Sequence, residues 1–277
     1  MNGMELNGKL EIVNLSDVGR KRPHNEDSTA SDLSIGFAVI ADGMGGYKAG
    51  EVASAIAVTT IMNEVREALH GLPPAQLDEA TGYTRESLIV RQAVVHANSR
   101  IFRTAQSEPL CQGMGTTVVA ILFYDDRMTV AHVGDSRMYR LRGEQFGQVT
   151  SDHSLIQELV DRGFFTRAEA EASTPKNLVT RALGIDEDVE VDIREHEVAP
   201  GDIYLLCSDG LNDMVNDEEI HLTLSKYSAN LVKTGTELIN LANERGGNDN
   251  ISVILARPLQ HFKARNGWCT KILGKFS

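Results

Sequence analysis

The fold is decided by a short apolar run that stops at an acidic turn: Ile35-Gly-Phe-Ala-Val-Ile-Ala-Asp-Gly43. A run of this length, rich in aliphatic residues, is typical of a buried strand. Three further runs carry an acid beside one end: Met128–Val133 with Asp135, Ile203–Cys207 with Asp209, and Ile251–Ala256 with Asp249. We therefore predict four buried strands, each with a carboxylate at its end.

These carboxylates become costly if the four strands are neighbours. Two like charges about 4 Å apart repel by about 4 kcal/mol at an effective dielectric constant of 20. Only a bound cation, or protonation of the carboxylates, relieves such repulsion. The pattern thus points to either a metal site or a set of acids with raised pKa values.

Length and composition are those of an ordinary globular chain of one large or two small domains. The chain has 277 residues, 42% of them hydrophobic and 24% charged, with a net charge of −12. This acidic balance argues against nucleic acid as a partner, because such proteins carry a basic surface for phosphate. Three scattered cysteines favour reduced thiols over a disulfide framework or a thiolate zinc site. With no apolar run of about 18 residues and no secretion signal, we expect a cytoplasmic protein.

The remaining periodicity predicts a mixed α+β class. Apolar residues recur at helical spacing in 50–70 and 84–106, whereas closely spaced strands between 116 and 141 imply antiparallel hairpins. Capping-box patterns at Ser154 and Thr166 predict a helical insert over about 154–190, and a third pattern predicts a helix that opens at Thr234. Antiparallel sheets with helices packed on their faces fit this order best.

The acids form a set rich in oxygen and poor in nitrogen and sulfur, and Glu26 and Asp27 extend it near the start of the chain. Hard oxygen ligands favour Mg²⁺ or Mn²⁺ over zinc. A pair of such ions can activate a water molecule for in-line attack on phosphorus. Arg22, in a cationic segment, could grip the phosphate with its planar fork, or it could be a solvated surface residue. For Arg137 an internal salt bridge is the favoured interpretation.

Six separated motifs carry a resemblance to a known family: Gly19–Asp27, Ala41–Gly46, Gly115–Thr117, His132–Arg137, Ser208–Gly210 and Gly247–Asn250. Their order and spacing resemble those of the type 2C metal-dependent serine/threonine protein phosphatases, in the compact bacterial form. The resemblance implies an αββα sandwich of two antiparallel sheets flanked by helices. It also implies a catalytic domain over 10–257 and a mobile flap formed by the insert. Beyond it, the composition of residues 258–277 predicts a basic tail.

The resemblance further implies a role for each acid in the hydrolysis of phosphoserine and phosphothreonine by a dinuclear metal centre and a bridging hydroxide. The roles are these: Asp42 bridges two Mn²⁺ or Mg²⁺ ions, Asp209 and Asp249 complete the first site, Glu26 and the Gly43 carbonyl complete the second, and Asp135 with Asp209 forms a weaker third site. Arg22 would hold the substrate phosphate, and Asp27 would orient water. The implied partners are a phosphoprotein substrate and an opposing serine/threonine kinase, with a monomeric enzyme.

One position departs from the pattern, and several alternatives stay open. Met44 stands where many eukaryotic members have a histidine proposed as general acid, so the proton donor is unassigned. His132 is predicted to be a core residue with its hydrogen bonds satisfied, and His153 is predicted to anchor the insert. The tail mixes lysine and arginine with aromatic residues, which suits a membrane surface, a partner, or the acidic body. A phosphoprotein-binding scaffold and, more weakly, a nucleotide phosphodiesterase are the rival functions.

Overall fold

Two stacked antiparallel sheets form the centre of the computed structural model, which describes residue 6 and residues 8–46, 49–70, 77–175 and 178–262. The first sheet has, in spatial order, the strands β1 (Leu10–Asp17), β11 (Ile251–Pro258), β10 (Ile203–Cys207), β7 (Arg137–Arg142) and β8 (Gln145–Gln148). The second has β2 (Asp27–Asp32), β3 (Phe37–Met44), β5 (Val118–Tyr124), β6 (Arg127–Val133) and β9 (Asp192–Glu197), with β4 (Gly115–Thr116) beside β3. Every pairing is antiparallel.

Helices cover both outer faces of this pair of sheets. The chain forms α1 (Ala49–Leu69), α2 (Arg85–Ser107), α3 (Leu155–Asp161), α4 (Arg167–Ser173), α5 (Asp209–Asn212), α6 (Asp217–Tyr227) and α7 (Leu231–Glu244). Helices α1 and α2 pack on the second sheet, and α5, α6 and α7 pack on the first. The predicted α+β class and αββα sandwich are confirmed. In the part of the chain that the structure describes, no helix has the length and apolarity to cross a bilayer.

Strand alternation builds the three apolar layers. In β3, Ala38 and Ile40 face the other sheet, whereas Phe37 and Val39 face the helices, because successive side chains of a strand point to opposite faces. Both sets are fully buried. The central strands are therefore apolar on both faces, which is why they read as continuous hydrophobic runs in the sequence.

The insert is only partly helical. Ser154 caps α3 by accepting a hydrogen bond from the Gln157 backbone N–H, and Thr166 forms a complete capping box at α4. Both helix starts are confirmed. The described residues from 178 to 190 contain bridges and turns but no regular helix.

The helix predicted to open at Thr234 begins earlier. Helix α7 starts at Leu231, and the Asn230 side chain caps it by accepting from the Lys233 N–H at 3.0 Å. Thr234 lies inside the helix and donates to the Tyr227 carbonyl at 2.8 Å. The prediction was wrong because Leu231 is completely buried, so packing extends the helix toward the N-terminus past the capping pattern.

The segment predicted as a tail starts within the body of the protein. Strand β11 runs to Pro258, and Phe262 is buried with its ring edge against Phe123, at a centroid distance of 6.4 Å. The Phe262 N–H donates to Asp126 at 2.6 Å. Residues 263–277, which carry most of the tail prediction, lie outside the described residues.

Candidate active site

The predicted acids converge at one end of the sandwich, from both sheets. Asp27 in β2 lies directly opposite Asp42 in β3 in the second sheet. In the first sheet β10 and β11 are neighbours, so Asp209, just after β10, meets Asp249, just before β11. Asp135 follows β6 at the same end and repels Asp209.

Hydrogen bonds between the two sheets hold this end together. The Ser208 hydroxyl donates to Asp27 at 2.8 Å, and the Glu26 N–H donates to the Asn250 side chain at 2.8 Å. The Asn250 amide in turn donates to the carbonyl oxygens of Val18 and His24, both at 2.9 Å. The loop that carries Glu26 and Asp27 is thereby fixed to the strand end that carries Asp249.

Two glycines allow the elements to approach closely. A β-carbon at Gly43 would lie 2.1 Å from the Gly50 carbonyl oxygen, so only glycine lets the start of α1 pack against the end of β3. A β-carbon at Gly210 would lie 2.0 Å from the Asn250 carbonyl oxygen, where α5 crosses β11. The glycine after Asp42 and the glycine after Asp209 therefore serve packing beside the acids.

The backbone of Asp42 is held from the neighbouring strand. Its N–H donates to the Thr117 hydroxyl at 3.1 Å, and its carbonyl accepts from the Thr117 N–H at 2.9 Å and the Thr116 hydroxyl at 2.8 Å. These three bonds fix the backbone of Asp42 and leave its carboxylate directed at the other acids.

The pKa values and unpartnered oxygens of the cluster are those of an acidic site that binds a cation. Burial, followed by repulsion from the neighbouring acids, raises the pKa of Asp42 and of Asp209 well above the usual value. Burial likewise raises the pKa of Asp27 to about 6 and that of Asp135 to about 6. One carboxylate oxygen of Asp209 and one of Asp27 are buried without a hydrogen-bond partner. Unsatisfied oxygens and mutual repulsion both fit the coordination of a hard divalent ion.

Arg22 lies at the rim of the acidic cluster. Its Nη2 donates to Asp249 at 2.6 Å while the side chain keeps 49% of its surface exposed. Its loop is anchored, since the backbone N–H groups of Arg20 and Lys21 both donate to the Gly247 carbonyl. A guanidinium at this rim can contact an anion that enters from solvent.

A cavity of about 540 Å³ opens beside Asp135 and Asp209 and continues under the insert. Asp213 also lines it, and Ile156 of α3 and Arg167 of α4 line the side of the insert. The insert thus forms one wall of the space beside Asp135 and Asp209, and the cavity does not extend to Asp42 or Asp249.

Comparison with known proteins settles the family. The sequence model of the family described as protein phosphatase 2C matches residues 20–256. The chain belongs to the protein phosphatase 2C family. The protein phosphatase PhpP of Streptococcus pneumoniae is 37% identical over 253 residues, which span 89% of this chain and 96% of PhpP.

Solved structures of the protein phosphatase 2C family agree with the fold. The serine/threonine phosphatase PstP/Ppp of Mycobacterium tuberculosis superimposes with a TM-score of 0.80 at 37% identity, covering 91% of this chain and all of that one. The catalytic domain of PstP in complex with two manganese ions gives a TM-score of 0.77 at 36% identity, covering 91% of this chain and 99% of that one. This chain is thus similar in fold and in sequence to both solved structures.

Three residues outside the acidic cluster lie as the sequence predicts. Arg137 pairs with Asp152 at 2.7 Å, which confirms the internal salt bridge. His132 is 2% exposed and is a core residue, but the prediction that its hydrogen bonds are satisfied was wrong, because its Nε2 is buried without a partner. His153 contacts the strand end before Asp135 and the far end of the insert, and so anchors the insert.

Sequence reasoning missed two contributors to the site. Asn250 stands out in the sequence only as part of a motif, yet its buried side chain bonds to Val18, His24 and Glu26 and so fixes the loop between β1 and β2 to the start of β11. Asp213 lines the cavity four residues after Asp209, a helical spacing that places both on one face of a turn. That spacing was the signal that could have found Asp213.

Proposed function

We propose that this chain is a metal-dependent protein serine/threonine phosphatase that releases phosphate from phosphoserine and phosphothreonine on proteins. The observation that carries the proposal is the group of buried acids with unpartnered oxygens beside an exposed arginine. Membership of the protein phosphatase 2C family and the two manganese ions in the PstP catalytic domain support it.

We assign the residues as the family pattern implies. Asp42 would bridge two ions, with Asp209 and Asp249 completing one site, Glu26 and the Gly43 carbonyl the other, and Asp135 with Asp209 a third. Mn²⁺ or Mg²⁺ at these positions would lower the pKa of a water molecule and neutralise the charge of the phosphate. The raised pKa values of Asp42 and Asp209 support the assignment, because a bound cation would stabilise their ionised forms.

The chain's own residues orient the reactants. Arg22 uses one N–H of Nη2 to bind Asp249. Its other N–H groups are available to two oxygens of the substrate phosphate. Asp27, held by the Ser208 hydroxyl, is placed opposite Asp42 to accept a hydrogen bond from the attacking water. Met44 carries no exchangeable proton, so we assign protonation of the leaving serine or threonine oxygen to water in the open cavity.

We propose that the acidic surroundings of the site select a protein substrate over a polynucleotide. An opposing serine/threonine kinase, a monomeric state and a cytoplasmic location stay predictions. A binding scaffold is less well supported, because a pure binder gains nothing from the repulsion among five clustered acids.

Phosphate release from a phosphothreonine peptide tests the proposed function. We expect turnover with Mn²⁺ or Mg²⁺ and its loss in excess EDTA, in both the full chain and a 1–262 truncation. A protein that binds the phosphopeptide but releases no phosphate would be a scaffold. Full activity in excess EDTA would reject the metal-dependent mechanism.

Arg22→Lys is expected to raise the KM for the phosphopeptide about tenfold, with a smaller change in kcat. A lysine places one point charge where the guanidinium offers a planar fork, and the loss of one bidentate contact costs about 1.4 kcal/mol. Steady-state kinetics measures both constants. Arg20→Lys, the same change two residues away on the exposed loop, is the control, and an equal KM in both variants would contradict the role of Arg22.

A further inference from the structure

A single histidine holds the backbone of the residue that precedes Asp135. The Gly134 N–H donates to Nδ1 of His153 at 3.1 Å, and the Gly134 carbonyl accepts from the His153 N–H at 2.8 Å. Gly134 has a φ of +108°, which favours glycine, and it forms the turn from β6 into Asp135. Both polar groups of this turn residue are therefore satisfied by His153.

The second ring nitrogen of His153 faces Arg181 and Asp192. Because Nδ1 accepts from Gly134, it presents a lone pair. Nε2 lies 3.1 Å from Nη1 of Arg181 and 3.4 Å from a carboxylate oxygen of Asp192. Burial, and then the nearby Arg181, lower the pKa of His153, which favours a neutral ring.

The buried ring of His132 packs against the ring of His153. The His132 and His153 ring centroids are 4.5 Å apart, and His132 is 2% exposed. Burial, followed by repulsion from His153, lowers the pKa of His132 to about 3. The two rings consequently pack as neutral groups, without charge repulsion.

The same histidine joins the two ends of the insert. At the first end, Ser154 follows directly and caps α3. At the other end, the Thr180 N–H donates to the His153 carbonyl at 2.8 Å, and Arg181 donates to Asp192 at 2.8 Å. The base of the insert and the turn of Asp135 thus share one contact residue.

Metal binding is the alternative use of this cluster. His132, His153 and Asp192 lie close enough to ligate one ion, and Nε2 of His132 is buried without a partner. However, Asp192 already forms a salt bridge with Arg181 at 2.8 Å. The Arg181 guanidinium also lies 3.1 Å from Nε2 of His153, where its positive charge would repel a metal ion. The contacts therefore favour a positioning role.

We propose that His153 is a positioning residue that orients Asp135 and so sets the affinity of the ion site that Asp135 forms with Asp209. The inference rests on the proposed function, which supplies the metal at that site. It follows that movement of the insert at its base would be transmitted to Asp135 through Gly134. Side chains that hold a metal ligand in place typically change metal affinity 10–100-fold when they are replaced.

Two isosteric substitutions separate the two ring nitrogens. His153→Asn keeps an acceptor near the position of Nδ1, whereas His153→Gln keeps a polar group near Nε2 and leaves Gly134 without an acceptor. Metal-free full-length protein is titrated with Mn²⁺, and the electron paramagnetic resonance signal of free Mn²⁺ gives the number and affinity of the bound ions. His96→Gln, on the surface of α2, is the matched control.

We expect three Mn²⁺ ions on the unmodified protein and a 10–100-fold weaker third ion in His153→Gln. His153→Asn is expected to stay within about threefold of the unmodified protein. Equal affinities in the Asn and Gln variants, or only two ions on the unmodified protein, would overturn the proposal. If His153→Gln does not fold by near-UV circular dichroism, His153→Ser gives the same comparison. Failure of the proposed function would be seen in a different measurement, as an absence of phosphopeptide turnover by the unmodified protein.

Discussion

Asp209→Asn is expected to lower phosphopeptide turnover by about 10²–10³-fold. Asp209 contributes to two of the proposed ion sites, and one of its oxygens is buried without a hydrogen-bond partner. An amide at this position has no charge to offer an ion and would place an N–H₂ group among the remaining carboxylates. Phosphate release at saturating substrate and several Mn²⁺ concentrations measures the loss.

The same substitution is expected to have the opposite effect on the metal-free protein. Burial, and then repulsion from Asp135 and other acids, raises the pKa of Asp209, so removing its charge relieves the cluster. In EDTA at neutral pH the variant should melt higher than the unmodified protein, by on the order of 5 °C. Asp188→Asn, an exposed acid of the insert, is the matched control. A variant that is fully active, or less stable in EDTA than the unmodified protein, would count against a shared acidic site.

The stabilisation of the protein by Mn²⁺ is expected to grow as the pH rises from 5.5 to 7.5. Burial raises the pKa of Asp27 and of Asp135 to about 6, so the folded protein binds protons more tightly than the unfolded chain between about pH 4 and 6. The contribution of these groups to stability is complete below the unfolded pKa and is lost as the pH rises through the folded pKa. For Asp135 alone the loss amounts to at most about 3 kcal/mol.

Metal reverses this loss, because ions bind the deprotonated carboxylates of the folded state. At an Mn²⁺ concentration 100 times the dissociation constant, one ion stabilises by about 2.7 kcal/mol, or roughly 5–10 °C in Tm. The difference between the melting temperatures in Mn²⁺ and in EDTA should be several-fold larger at pH 7.5 than at pH 5.5. Differential scanning calorimetry at the two pH values measures it. A difference that does not change with pH would mean that the metal does not compete with protons for these acids.

The positions of the acids could be predicted because strand patterns are local. Each run of apolar residues is buried on both faces, and its end is marked by glycine or serine, so Asp42 and Asp209 were assigned to strand ends correctly. That the four ends would meet is a matter of sheet topology, which the runs do not encode. The order and spacing of the motifs supplied that step through a family resemblance.

The rest depended on contacts that no local pattern records. Strand β2 is polar along its length and was not predicted, because its pairing with β3 and not its hydrophobicity holds it in the sheet. The start of α7 was misplaced because burial of Leu231 outweighs a capping pattern. The roles of Asn250 and His153 come from hydrogen bonds to residues far away in the sequence or across a turn, and these appear only in the folded chain.

Anomalous X-ray diffraction from crystals grown with Mn²⁺ tests the central claim most directly. The account predicts two strong manganese peaks between the carboxylates of Asp42, Asp209 and Asp249, with a weaker third peak near Asp135. Manganese peaks elsewhere, with none between Asp42, Asp209 and Asp249, would contradict it.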